Sequence, residues 1–187
     1  MTRWQPDASG RLQAAALALF EERGFDDTTV ADIATRAGLT KRTFFRYFAD
    51  KREVLFDGSH DFERRFVDGI EQAPATVAPL DAIAAGLDAL AVFLEERREF
   101  APRRQAILDA TPELQEREGA KLTLLAAAGR DALHRRDVPE PTASLAADAG
   151  VAILRVAFTS WIDDRATGDL RVLMRDSLAA LRAVTAQ

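Results

Sequence analysis

Residues Thr29 to Lys51 read TVADIATRAGLTKRTFFRYFADK, and this stretch decides the fold. Thr29 and Asp32 stand in the T-x-x-D spacing of a capping box, which predicts a helix that opens after Thr29 and closes at Ala37-Gly38. Thr40 is placed to cap a second, short helix over 41–47. Ile33, Ala34 and Ala37 on the first helix, Gly38 and Leu39 between, and Phe44 and Phe48 on the second have the spacing of a helix-turn-helix. That motif needs a small residue where its helices cross (Ala34), a turn residue tolerant of positive φ (Gly38), and apolar residues on both sides of the turn. The outer face of the second helix is then free to enter a DNA groove.

Upstream, residues 8–23 form a helix whose apolar face is Leu12, Ala16, Leu19 and Phe20, with Gly24 as its stop. Downstream, Asp50 and Glu53 suggest a second box opening a long fourth helix over 51–72, with the stripe Leu55, Phe62, Phe66 and Ile70. The stretch Ala73-Pro74-Ala75-Thr76-Val77-Ala78-Pro79 breaks any helix. The expected organisation is therefore a DNA-binding domain over 1–52, a connecting helix, and a second domain over 73–187. Within the second domain, Leu80, Ile83, Leu87, Leu90 and Leu94 repeat at three and four residues. Further helices are expected over 102–110, 112–134, 142–165 and 169–185. Ala (36 residues) and Leu (21) far outnumber Val and Ile together (16), which fits an all-α protein of about nine helices. Ten of the fourteen aromatics lie between Trp4 and Phe66; large rings supply the burial that a small three-helix unit otherwise lacks.

Charge separates the two parts. From Arg36 to Arg52 six basic residues (Arg36, Lys41, Arg42, Arg46, Lys51, Arg52) face one acid, Asp50, a net of +5 on a chain whose net charge is −5. A basic patch on an acidic protein localises a nucleic-acid footprint. The absence of cysteine excludes a disulfide framework, a thiol nucleophile and any Cys-containing metal site. No apolar run approaches the roughly 20 residues of a membrane span. Met1 to Gly10 is polar and lacks a signal-peptide core. The expectation is a soluble, cytoplasmic protein without a membrane role.

The chain resembles the TetR family of bacterial transcriptional regulators. The residues that carry the resemblance are Arg11, Ala15, Phe20, Gly24 and Phe25, then Thr29-Val30 with Asp32-Ile33-Ala34, Ala37-Gly38-Leu39-Thr40, Thr43, Tyr47-Phe48, Lys51 and Leu55. They cover roughly the first 55 residues. The resemblance implies that Thr40, Lys41, Arg42, Thr43, Phe45 and Arg46 are offered to the major groove, Arg42 first and Arg46 second for a bidentate contact to guanine. It also implies that Thr29, Tyr47 and Lys51 hold phosphates. Phe45 departs from the family, which often has Tyr there and with it a hydroxyl for phosphate.

For the second domain the resemblance implies a homodimer on a palindromic operator, a four-helix bundle made by the last two helices of each copy, and a small-molecule pocket. Ala149 to Ile162 is apolar nearly all round with one charge, Arg155, and such a helix needs cover on several sides. Expected interface residues are Ile153, Val156, Leu170, Leu173, Leu181 and Val184. Expected pocket residues are Phe66, Leu90, Phe93, Leu94, Leu125, Phe158, Trp161 and Ile162, which also fit an ordinary core. Arg155 would hold a ligand carboxylate or phosphate, or pair with an acid such as Asp163 of the other copy. An apolar lining fits an acyl or aromatic effector. The expected function is a ligand-responsive repressor; the alternative is a DNA-binding protein or adaptor without an effector. No catalytic residue, metal ligand or cofactor is expected, because His60 and His134 stand without HExxH, GxSxG, a glycine-rich phosphate loop or clustered carboxylates.

Overall fold

The computed structural model describes residues 8–163 and 168–185, and among them nine α-helices and no strand. In order they are α1 (Ala8–Arg23), α2 (Val30–Arg36), α3 (Lys41–Tyr47), α4 (Ser59–Gln72), α5 (Pro79–Glu95), α6 (Ala101–Asp109), α7 (Pro112–His134), α8 (Thr142–Ile162) and α9 (Leu170–Thr185), with a 3-10 turn at Glu53–Phe56. The end of the helix expected over 142–165 lies partly outside the described residues.

The chain divides into two compact units. The first takes residues up to Ser59 together with Arg103–Gln115; the second takes His60–Pro102 and Glu116–Gln187. The expected boundary near residue 73 therefore falls inside the second unit, and residues 103–115 belong to the first. The reason is long-range packing: Ile107, Leu108 and Leu114 are buried with Leu12, Leu19, Phe20, Ile33, Phe44 and Phe56 in one core. Three arginine contacts reinforce this. Arg103 pairs with both carboxylate oxygens of Glu21 at 2.6 Å, Arg52 pairs with Glu113 at 2.7 Å, and Arg104 donates to the Leu55 carbonyl at 2.8 Å.

The single helix expected over 51–72 is divided. Asp50 does accept the backbone N–H groups of Arg52 and Glu53, as a cap should, but what it opens is the 3-10 turn. The chain then leaves helical geometry at Asp57 (ψ 140°) and turns through Gly58 at φ +81°, a conformation that favours glycine, before Ser59 begins α4. The Asp57-Gly58 pair is a turn signal in its own right.

In the second unit α5, α8 and α9 pack on one another. The core there includes Phe66 of α4 with Ile83, Leu90, Leu125, Leu133, Ile153, Leu154, Trp161 and Leu170. Glycines make the fit possible. A Cβ at Gly86 would lie 2.7 Å from the Phe66 carbonyl and 2.8 Å from its ring, one at Gly129 2.8 Å from that ring, and one at Gly150 2.5 Å from Ile83 Cγ2. Glycines of α5 and α7 thus let those helices close on Phe66, and the α8 glycine lets α8 close on Ile83 of α5. By length and composition α8 could cross a membrane, contrary to the expectation that no run approaches that length. Instead it buries Ala143, Ala146, Ala147, Ile153, Leu154, Ala157 and Trp161 within the second unit.

Candidate nucleic-acid interface

α2 and α3 are fixed by local chemistry. At the start of α2, Thr29 and Asp32 complete a reciprocal box. The Asp32 N–H donates to the Thr29 hydroxyl at 3.2 Å, and the Asp32 carboxylate accepts the Thr29 N–H at 3.0 Å and its hydroxyl at 2.6 Å. These bonds, the Thr29 hydroxyl first, hold the Asp32 carboxyl below its usual range. At the end of α2, Gly38 takes φ +66° and the Leu39 N–H reaches back to the Ala34 carbonyl at 2.8 Å. Thr40 caps α3 by accepting the Thr43 N–H at 3.1 Å.

Arg11 adds a support that periodicity does not reveal. From α1 its guanidinium donates to the carbonyls of Ala37 and Gly38, which close α2 and have no helical partner of their own. It is a positioning residue for the turn between α2 and α3.

Of the six basic residues in the patch, three are engaged inside the unit. Arg36 pairs with both oxygens of Glu22 at 2.8 and 2.7 Å. Arg52 pairs with Asp50 and Glu113. Asp50 is held below its usual carboxylate range, chiefly by the Arg52 guanidinium and then by the Glu53 and Arg52 N–H groups. Its stabilising contribution is present at neutral pH and is lost as pH falls through that lowered value. Lys51, expected on a phosphate, donates to the carbonyls of Phe25 (2.7 Å), Thr28 (3.2 Å) and Asp26 (3.3 Å), and its ammonium lies 4.1 Å from the centre of the Phe25 ring. An ammonium has three donors, and all three are taken. Thr29 is redirected in the same way, since its hydroxyl proton goes to Asp32.

Lys51→Ala should therefore cost the first unit stability, about 1–2 kcal/mol for partly exposed charged hydrogen bonds, with the salt dependence of DNA binding unchanged. Denaturant melts alongside a salt titration check this. A folded, equally stable variant whose salt slope falls by about one would restore Lys51 to phosphate duty.

What remains outward is α3. Lys41 and Arg42 are exposed and make no hydrogen bond or ion pair among the described residues. Arg46 is exposed, donates to the Tyr47 hydroxyl at 3.2 Å and lies 4.9 Å from the Tyr47 ring centre. Phe45 and Tyr47 are exposed as well, while Phe44 and Phe48 turn into the core. Thr40 and Thr43 stand at the near end of the same helix, their hydroxyls 3.0 Å apart. The expected major-groove residues are thus brought onto one short helix and its cap, three cations together that form no ion pair with a carboxylate among the described residues.

In the second unit the sequence expectations divide. Phe66, Leu90, Phe93, Leu125 and Trp161 are buried, while Leu94, Phe158 and Ile162 are half-buried at the edge of the same core. Arg155 does not enter it: its side chain is exposed on α8. Of the expected interface residues, Ile153 and Leu170 are buried within one chain, and Leu173 and Leu181 are half-buried against its core. Val156 (61% exposed) and Val184 (74%) face outward, joined by Leu145 (66%) and Val172, which helical periodicity did not single out.

Comparison with known proteins agrees with this geometry. Residues 12–57 match the bacterial regulatory proteins of the tetR family. A protein of Mycobacterium tuberculosis named as the mycofactocin biosynthesis transcriptional regulator MftR is 32% identical over 100 residues, which are 54% of this chain and 50% of that protein. The HTH-type transcriptional regulator TcmR of Streptomyces glaucescens is 37% identical over 75 residues, 40% of this chain and 33% of that one. The matched stretches thus span half and a third of these relatives' lengths. Among solved structures, the transcriptional regulator FadR of Bacillus subtilis in complex with stearoyl-CoA superposes with a TM-score of 0.61 at 20% identity, covering 92% of this chain and 96% of that one. That likeness shows a shared fold. Residues 12–57 thus form a helix-turn-helix domain of the kind that the tetR family of bacterial regulatory proteins shares.

Proposed function

We propose that the protein is a transcriptional regulator that binds a palindromic DNA operator as a homodimer and acts as a repressor released by an apolar, acyl or aromatic effector. The observation that carries the reading is α3, where Lys41, Arg42 and Arg46 are exposed around Phe45 and Tyr47 on a helix held by Arg11, Thr40 and the buried Phe44. Arg42 takes the base contact, Arg46 supports it, and Tyr47 keeps a hydroxyl proton for phosphate. Thr40 and Thr43 sit at the helix start, where backbone N–H groups favour anions. Selection of duplexes from a random pool by the full chain tests the reading. A recovered palindrome supports it, and a pool without consensus contradicts it.

The outward apolar residues of α8 and α9 support the dimer. Leu145, Val156, Val172 and Val184 are exposed on neighbouring helices, together with the small Ala152, Ala179 and Ala183. Such a face suits close helix packing against its own copy around a two-fold axis. Val156→Glu should then convert dimer to monomer in sedimentation and abolish tight operator binding, without unfolding a residue already in solvent. A variant that stays dimeric would move the interface elsewhere.

The half-buried Phe62, Leu94, Leu122, Phe158 and Ile162 at the edge of the second core support an apolar effector, as does the stearoyl-CoA bound by the Bacillus FadR. The close packing of Phe66 favours the second reading, regulation without an effector. Release of the selected duplex by stearoyl-CoA supports the first reading. Unchanged duplex affinity across acyl and aromatic compounds supports the second.

A further inference from the structure

Phe45 is the residue of α3 whose position folding does not explain. It is 56% exposed, and its one ring contact among the described residues is edge-on to Phe44, with centroids 5.5 Å apart and an interplanar angle of 83°. Phe44 is fully buried, so the exposed ring rests on a fixed base and stands out into solvent. Lys41 (four residues earlier) and Arg42 (three earlier) are its neighbours on the helix surface, and the exposed Arg46 follows it in the chain. A large apolar ring among three cations is left in water without cover, which folding does not reward.

On the DNA-binding reading, those cations bring the ring into a groove walled by phosphates. A phenyl ring can neither donate nor accept a conventional hydrogen bond there. The apolar feature that a major groove displays is the C5-methyl group of thymine. We infer that Phe45 reads a pyrimidine 5-methyl group in the major groove, that of thymine in unmodified DNA, and so is a specificity-determining residue of the operator contact. Helical rise places Phe45 about 4.5 Å along the axis from Arg42, little more than one base-pair step of about 3.4 Å. The methyl group read by Phe45 therefore lies within one or two base pairs of the guanine read by Arg42.

The inference rests on the DNA-binding reading, and the experiment separates the two. The full chain first selects its duplex from a random pool, and each thymine of that duplex is then replaced singly by uracil, which lacks only the methyl group. At one position per half-site the replacement should weaken wild-type binding about four-fold, the effect of removing one buried methyl group. Phe45→Ala should bind the thymine and uracil duplexes alike. Phe45→Tyr, which keeps the ring, should retain the discrimination. With cytosine placed at that position, 5-methylcytosine should restore the same factor, which distinguishes recognition of the methyl group from recognition of the thymine carbonyl. Indifference to uracil at every position overturns the inference while leaving DNA binding intact, and so does a Phe45→Ala protein that still discriminates. A pool that yields no preferred duplex removes the DNA-binding reading and this assignment with it.

Discussion

Phe66→Ala should destabilise the second unit by about 3–5 kcal/mol, the range for removing a buried aromatic ring from a core, and lower its melting temperature by on the order of 10 °C. The value belongs at the upper end of what core truncations do because the surroundings cannot collapse into the space. Phe66 is fully buried, and Gly86, Gly129 and Gly150 present backbone to or beside it where other residues would have side chains to swing inward. Helix α4 itself is close to α5, since a Cβ at Gly69 would lie 2.8 Å from Gly86 Cα, so backbone already meets backbone there. Calorimetry or denaturant melts on the full chain measure the loss. A cost below about 1 kcal/mol would mean that the helices relax around the missing ring, and that the second unit is less firmly packed than its geometry implies.

Arg42→Ala should weaken binding to the selected operator by about 1–3 kcal/mol and relax its preference at one base pair, as loss of a bidentate guanine contact does. Arg42 carries this prediction because it is exposed at the centre of the outward face of α3 and no protein group engages it among the described residues. Arg46 is second, since its guanidinium is already shared with Tyr47. Equal weakening on operator and random DNA would make Arg42 a phosphate contact. Unchanged affinity would take α3 out of the groove.

The helix-turn-helix was legible because each of its parts is local. Thr29 and Asp32, Thr40 and Thr43, and Gly38 lie within a few residues of their partners, so spacing alone carries the geometry. Where the determinants are distant in sequence, the pattern misleads. Lys51 looks like a free cation until the loop at Phe25 to Thr28 folds over it. Residues 103–115 look like part of the second domain because nothing in their pattern names Glu21 or Leu55 as a partner. The apolar stripe Leu55, Phe62, Phe66 and Ile70 continues across Asp57-Gly58 and so predicts one helix, although the dipeptide itself signals a turn.

The second unit was harder to read for a different reason. In α8 the stretch Ala149 to Ile162 is apolar nearly all round, so hydrophobicity does not distinguish Ile153, which faces the core, from Val156, which faces out. Likewise, apolar side chains at helical spacing give the same pattern whether they line a cavity or fill a core. Gly86 and Gly129 let α5 and α7 close on Phe66 and Gly150 lets α8 close on Ile83, and the sequence shows these glycines only as scattered small residues.

The most direct test of the account is fluorescence anisotropy of the full-length protein on its selected duplex against a scrambled duplex, across a salt series. Two protomers should bind each duplex, with tighter binding to the selected sequence by about a thousand-fold or more, the lower bound for specific recognition, and affinity should fall steeply with salt as phosphate contacts are lost. Equal, weak binding to both duplexes by a folded dimer would contradict it: the cations of α3 would then be a solvated surface.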